Sequence, residues 1–121
     1  MIALSDSPLL TKSKAFALEI IRVCNEIKRS QKESILTNQL VRSGTSIGAN
    51  IREAFYAHSK ADFIAKLQIA LKECYETEYW IEIAQRTKLI SDATAKDILH
   101  DCGSIRRMLI ASINTAKENV Q

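Results

Sequence analysis

Proline and glycine are nearly missing from this chain, with one proline (Pro8) and three glycines (Gly44, Gly48 and Gly103) in 121 residues. The frequent tight turns of a β-sandwich or barrel draw on both, so their scarcity argues against an all-β fold. Cysteine is equally sparse: Cys24, Cys74 and Cys102 make an odd count with no closely spaced pair, which argues against a disulfide framework. All three fall on periodic apolar positions, where a free thiol acts as a small buried hydrophobe, so a reducing cytoplasm is the expected home. No run approaches the roughly 18 uninterrupted apolar residues of a membrane-spanning helix. No basic start is followed by an apolar stretch, so no secretory signal is expected.

What is present is ordinary globular usage, 46% hydrophobic and 26% charged, at a length that suits one domain, residues 1–121. The formal net charge is only +3, and it is uneven. Residues 1–60 carry nine Lys or Arg against five Asp or Glu, whereas residues 61–121 carry eight against nine. The positive surplus therefore sits in the first half. It is compatible with nucleic-acid contact without being sufficient for it.

Helical periodicity dominates the rest. After an extended lead-in over residues 1–9, Phe16, Ile20, Val23, Cys24 and Ile27 recur at helical spacing and predict a first helix over about residues 10–31. A polar break through Ser30–Ser34 follows, and Leu36, Leu40, Ile47, Ile51 and Phe55 predict a second helix running to about His58. Ser59 is the expected cap of a third helix, with Asp62 suited to the positive end of the helix dipole. There Phe63, Leu67, Ala70, Cys74, Thr77, Ile81 and Ala84 alternate steps of four and three, the rhythm of helices packed at a shallow angle. Ser91 or Asp92 should cap a fourth helix carrying Ala95, Ile98, Cys102, Ile105, Leu109, Ser112 and Ala116. Four long helices with short connections imply an all-α, antiparallel up-down-up-down bundle.

Catalytic and metal chemistry find little to use. A bundle di-iron centre needs Glu-x-x-His pairs projecting inward, whereas Glu73 and Glu76 form Glu-x-x-Glu, and the two histidines, His58 and His100, lie at a helix end and off the apolar stripe. Arg42–Asn50 holds Gly44, Gly48 and three hydroxyls, yet the Lys-Ser/Thr of a phosphate-binding loop is replaced by Ala49-Asn50. Helical periodicity passes through the segment in register. Gly44 and Gly48 are then four apart on one face, where another helix can come close. No catalytic residue, cofactor, metal or small-molecule substrate is expected.

At 100° per residue, Gln39, Arg42, Ser46, Asn50 and Glu53 fall within about 80° of one another beside the apolar stripe. Three readings of this polar ridge stay open: a solvated flank, a hydrogen-bonded subunit interface, or a contact for ligand or RNA. The third helix adds Glu73, Glu76, Glu78 and Glu82 with no basic residue among them. Arg42, Arg52 or Lys72 could relieve that crowding, within or between chains. Tyr79 and Trp80, beside the acidic run, read as packing anchors. RNA, if bound, would meet Lys28, Arg29 and Lys32 at the end of the first helix and Arg106 and Arg107 on the fourth.

The run Gln39–Ala54, with its Arg42-Ser43-Gly44-Thr45-Ser46-Ile47-Gly48-Ala49-Asn50 centre, resembles the signature of a bacterial four-helix bundle family encoded in intervening sequences of large-subunit ribosomal RNA genes. A second stretch, Ser59–Leu67 continuing through Ile69–Glu73 to Glu76–Trp80, carries the same resemblance, which extends from about Lys12 to Lys117. Cys74 and Tyr75 depart from it, standing where the family often has a small and an acidic residue. The resemblance implies the antiparallel bundle, assembly of protomers into a closed ring, with a pentamer favoured, and no known catalytic activity. The chain is also distantly similar to accessory proteins of diversity-generating retroelements, which engage RNA and a reverse transcriptase through a basic ring surface. On this basis Gln39, Arg42, Ser43, Ser46, Asn50, Glu53, Glu73 and Glu76 are expected at an oligomer interface, and RNA or a ribonucleoprotein is the expected partner. Arg42→Glu is expected to weaken assembly.

Overall fold

The computed structural model describes residues 7–118 and contains four helices in them: α1 (Pro8–Gln31), α2 (Ile35–Phe55), α3 (Lys60–Arg86) and α4 (Asp92–Glu118). Helix α1 begins two residues earlier than its apolar pattern suggests. Pro8 occupies the first turn, where its missing N–H costs nothing, and Ser7 Oγ accepts from the Leu10 N–H at 3.5 Å. Pro8 and Leu9 therefore belong to the helix and not to an extended lead-in; residues 1–6 of that lead-in lie outside the described residues. At its other end Lys32 turns the chain through a left-handed conformation, φ 55°, and closes α1 with its N–H on the Lys28 carbonyl.

Helix α2 is started by Glu33, whose carboxylate accepts from the Leu36 and Thr37 N–H groups at 2.9 and 3.1 Å. A carboxylate there also faces the positive end of the helix dipole. The helix ends at Phe55, three residues before the expected His58, because the Tyr56 and Ala57 N–H groups bond to Glu53 and Ala54 in a tightened last turn. Ser59 caps α3 as expected, accepting from the Asp62 N–H at 3.1 Å. Ser91 does the same for α4, accepting from Thr94.

One core, drawn from all four helices, is centred on Ile20, Leu40, Ile47, Ile51, Leu67, Ile81, Ile98, Ile105 and Leu109. The third-helix seam is buried from Leu67 to Ala84, with Phe63 half-buried at its end. On α4 the expected stripe fails at one position: Ile113 is buried, and Ser112 is not. A straight helix of 3.6 residues per turn drifts off a strict 3.5 repeat, and about five turns beyond Ala95 that drift carries Ile113 inward. Contacts order the helices: Gly44 and Gly48 meet Ile20 and Ser13, Arg42 and Glu53 meet Glu76 and Lys66, and Gln85 meets Asp92. Sequence numbers fall on one helix as they rise on its neighbour, an order compatible with up-down-up-down packing.

No described helix is long and apolar enough to cross a membrane. Cys24, Cys74 and Cys102 are all free and buried. Burial pushes the Cys24 thiol up to about 11, and hydrogen bonding to Cys74 together with burial pushes the Cys102 thiol up as well, so both stay neutral and poorly nucleophilic near pH 7.

Candidate functional site

Arg42–Asn50 is helix throughout, so its small and hydroxyl residues decorate a rod and do not form a loop. The two flanks of that rod differ. Toward α1, a Cβ built on Gly44 would lie 3.0 Å from Ile20 Cγ2, and one on Gly48 would lie 3.3 Å from Ser13 Oγ. Helix α1 thus comes as near as the two glycines allow.

Toward α3, the flank is polar. The Arg42 guanidinium bonds to Glu73 Oε2 at 3.2 Å and to the Glu76 carboxylate, while its Nε donates to Gln39 Oε1 at 3.3 Å. Glu76 Oε2 also accepts from the Trp80 indole N–H at 2.9 Å, which holds Trp80 half-buried against the core. About three turns further along α2, Lys66 Nζ lies 3.3 Å from Glu53 Oε1. Beneath this surface the hydroxyls of Ser43 and Thr77 bond at 2.9 Å, and both residues are fully buried. Asn50 bonds back to the Ser46 hydroxyl at 3.0 Å and to the Ser46 carbonyl.

The structure therefore brings Gln39, Arg42, Glu73 and Glu76 together as one network inside a single chain, with Glu53 tied separately to Lys66. Arg42 relieves the acidic crowding on α3; Arg52 and Lys72, the other two candidates, make no ion pair among the described residues. Ser43 is a correction to the expected interface set: it is enclosed between α2 and α3, so a second protomer cannot reach it. Gln39, Arg42 and Glu53 stay exposed, and Ser46, Asn50, Glu73 and Glu76 are half-buried.

The basic candidates separate into two groups. Lys28, Arg29 and Lys32 are exposed at the end of α1, where Arg29 makes only a loose 3.7 Å pair with Glu26. Arg106 is not free: its Nε donates to Glu78 Oε2 at 3.2 Å, and its guanidinium lies 5.7 Å from the Tyr75 ring centroid. Arg107 is exposed on the same turn. The Tyr75–Arg106–Glu78 arrangement across α3 and α4 escaped sequence reading. Tyr75 as a departure from the family pattern was its one visible trace.

The clefts hold other residues. A cavity of about 360 Å³ between α1 and α4 is lined by Lys12, Glu19, His100, Asp101 and Ser104, with Phe16 and Ile105 at its base. Among the described residues no hydrogen bond joins His100 to Asp101 or Ser104. Nor does any group of three His, Cys, Asp or Glu side chains among those residues have the geometry to hold a metal ion. Gln39, Arg42, Ser46, Asn50 and Glu53 line neither this cavity nor the clefts beside Ile90, Gly48 and Thr115.

Two comparisons with known proteins agree with this architecture. A crystal structure of a protein of unknown function from the S23 ribosomal protein family of Bacteroides thetaiotaomicron superposes with a TM-score of 0.86 at 48% identity, covering 87% of this chain and 97% of that one. No curated protein matches the chain. Residues 5–111 match the model of the 23S rRNA-intervening sequence protein family, so the four helices, the glycine-bearing α2 and its ionic seam with α3 are those of a member of that family.

Proposed function

We propose that the protein is a non-enzymatic, self-assembling bundle of the cytoplasm that serves as a binding scaffold, with RNA or a ribonucleoprotein as its partner and a closed pentameric ring as its form. One observation carries the reading. The ridge residues Gln39, Arg42, Glu73 and Glu76 form a pre-tied strip along the outside of α2 and α3, and none of them lines the cavity between α1 and α4. A strip of this kind suits contact with another extended surface. Arg42 keeps half of its side chain accessible while two carboxylates fix its position, so a neighbouring protomer meets a group already oriented.

For RNA the support is the exposed Lys28–Arg29–Lys32 end of α1, where the surface pair with Glu26 is weak enough to give way to phosphate. The ribosomal naming of the family and of its solved relative points the same way. The commitment of Arg106 to Glu78 narrows the basic surface and keeps a purely protein-binding module as the second reading.

Fluorescence anisotropy with a labelled large-subunit ribosomal RNA hairpin, titrated with salt, separates the two. Phosphate contacts make log affinity fall steeply against log salt, and Lys28→Ala/Arg29→Ala/Lys32→Ala should flatten that slope by up to about 2 to 3. Affinity indifferent to salt, or to the triple substitution, would defeat the RNA reading and leave the protein-binding one.

A further inference from the structure

We infer that the turn of α4 over Gly103 is a phosphoryl-binding site, gripped by Arg106 and Arg107. It goes beyond the reading above, because it uses none of Lys28, Arg29 and Lys32 and requires only a phosphoryl group, whether carried by a nucleotide or by an RNA backbone.

Side chains on a helix lean toward its N-terminus, so residues three and four beyond a given position can both reach back over it. Arg106 and Arg107 do so over Gly103. A Cβ built on that glycine would lie 3.2 Å from Arg107 Nη1 and 3.4 Å from Arg106 Nη2, and no atom of another helix comes nearer than Glu78 Oε2 at 3.9 Å. Gly103 thus differs from Gly44 and Gly48, whose missing Cβ atoms make room for α1. Glycine inside a helix is a poor choice on propensity alone, and here the space it leaves is taken by two guanidinium groups.

Against these two cations the structure sets one carboxylate. Glu78 Oε2 accepts from Arg106 Nε at 3.2 Å, while Arg107 has no hydrogen-bond or ion-pair partner among the described residues. One positive charge is left over. Glu78 also leaves both η nitrogens of Arg106 unbonded, and these are donors with which a guanidinium grips an oxyanion. Its charge is balanced by Arg106, so it does not close the site to an anion. Together with the Tyr75 ring, 5.7 Å from the Arg106 guanidinium, it holds that group in place before any ligand arrives. The chemistry favours phosphoryl over carboxylate. A carboxylate presents two coplanar oxygens, which one guanidinium fork satisfies, whereas the tetrahedral oxygens of a phosphoryl group can be shared between two guanidiniums.

Nuclear magnetic resonance of the full chain labelled with 15N-arginine tests this, with inorganic phosphate, adenosine monophosphate and a single-stranded oligouridylate titrated at constant ionic strength. One or more of the three should move the Arg106 and Arg107 side-chain signals together and to saturation. A response to the oligouridylate alone identifies a backbone phosphate, and a response to the small ligands identifies a free or terminal one. Arg107→Gln should weaken binding at least about ten-fold, since a charge-assisted contact is lost. Gly103→Ala should weaken it at least about three-fold, because its Cβ displaces both guanidiniums, while the urea midpoint holds or rises with the better helix former. Lys28→Ala/Arg29→Ala/Lys32→Ala should leave binding of the small ligands unchanged, so this site and the RNA reading fail separately. Signals that stay still with all three ligands, that drift without saturating, or that respond in Gly103→Ala as they do in the parent would overturn the inference.

Discussion

Helix α2 is held on one side by shape and on the other by charge. Against α1 it offers Gly44 and Gly48, and the contact is close because nothing projects. Against α3 it offers Gln39, Arg42, Ser43 and Glu53, and the contact is made by a network that spans from a fully buried hydroxyl pair to half-exposed ion pairs. The lesson is about tolerance. A seam set by close approach fails abruptly when atoms are added, whereas a polar seam loses its contacts one at a time, most at the buried end and least at the surface.

The largest effect should come from Gly44→Leu. Its Cβ alone would stand 3.0 Å from Ile20 Cγ2, in a core where Ile20 is fully enclosed, so the added side chain must displace α1. A loss of about 3 kcal/mol is expected in urea denaturation, well above that of Gly44→Ala, where better helix propensity offsets part of the crowding. A Gly44→Leu variant as stable as the parent would mean that α1 and α2 are not closely packed there. An intermediate effect belongs to the buried hydroxyls. Thr77→Val should cost about 1 to 2 kcal/mol and Ser43→Ala about 1, with the double variant costing less than both together, since the hydrogen bond between them is lost only once while each hydroxyl alone keeps a backbone carbonyl, Leu40 for Ser43 and Glu73 for Thr77. Strict additivity would show that the two hydroxyls do not act as a pair. The smallest effect is at the surface: Lys66→Ala should cost under about 0.5 kcal/mol and lose even that in high salt, because both partners are solvated.

The shape-held flank was the more legible in sequence. Leu40, Ile47 and Ile51 repeat at helical intervals straight through Gly44 and Gly48, so the run had to be helix, and two glycines on one face had to serve a close neighbour. The polar flank was legible only in part. Arg42 was one of three cations that could have met the acidic run; which of them did depends on the axial register of α2 against α3, and periodicity leaves that register open. Ser43 shows the same limit. Its place on the helix wheel borders the ridge, but only the neighbouring helix decides that it is enclosed against Thr77. Arg106 counts among the RNA candidates in sequence because its partner, Glu78, lies on another helix 28 residues away. The start of α1 was missed for a local reason: Pro8 reads as a breaker unless Ser7 is recognised as the cap before it.

A double-mutant cycle between Arg42→Ala and Glu76→Gln, followed by urea denaturation at two protein concentrations, most directly tests whether the ridge is tied within one chain. With Arg42 half-exposed, a coupling of about 0.5 to 1 kcal/mol at low salt is expected, equal at both concentrations. No coupling, or one that appears only at the higher concentration, would contradict it and move the Arg42 pairing to a contact between chains.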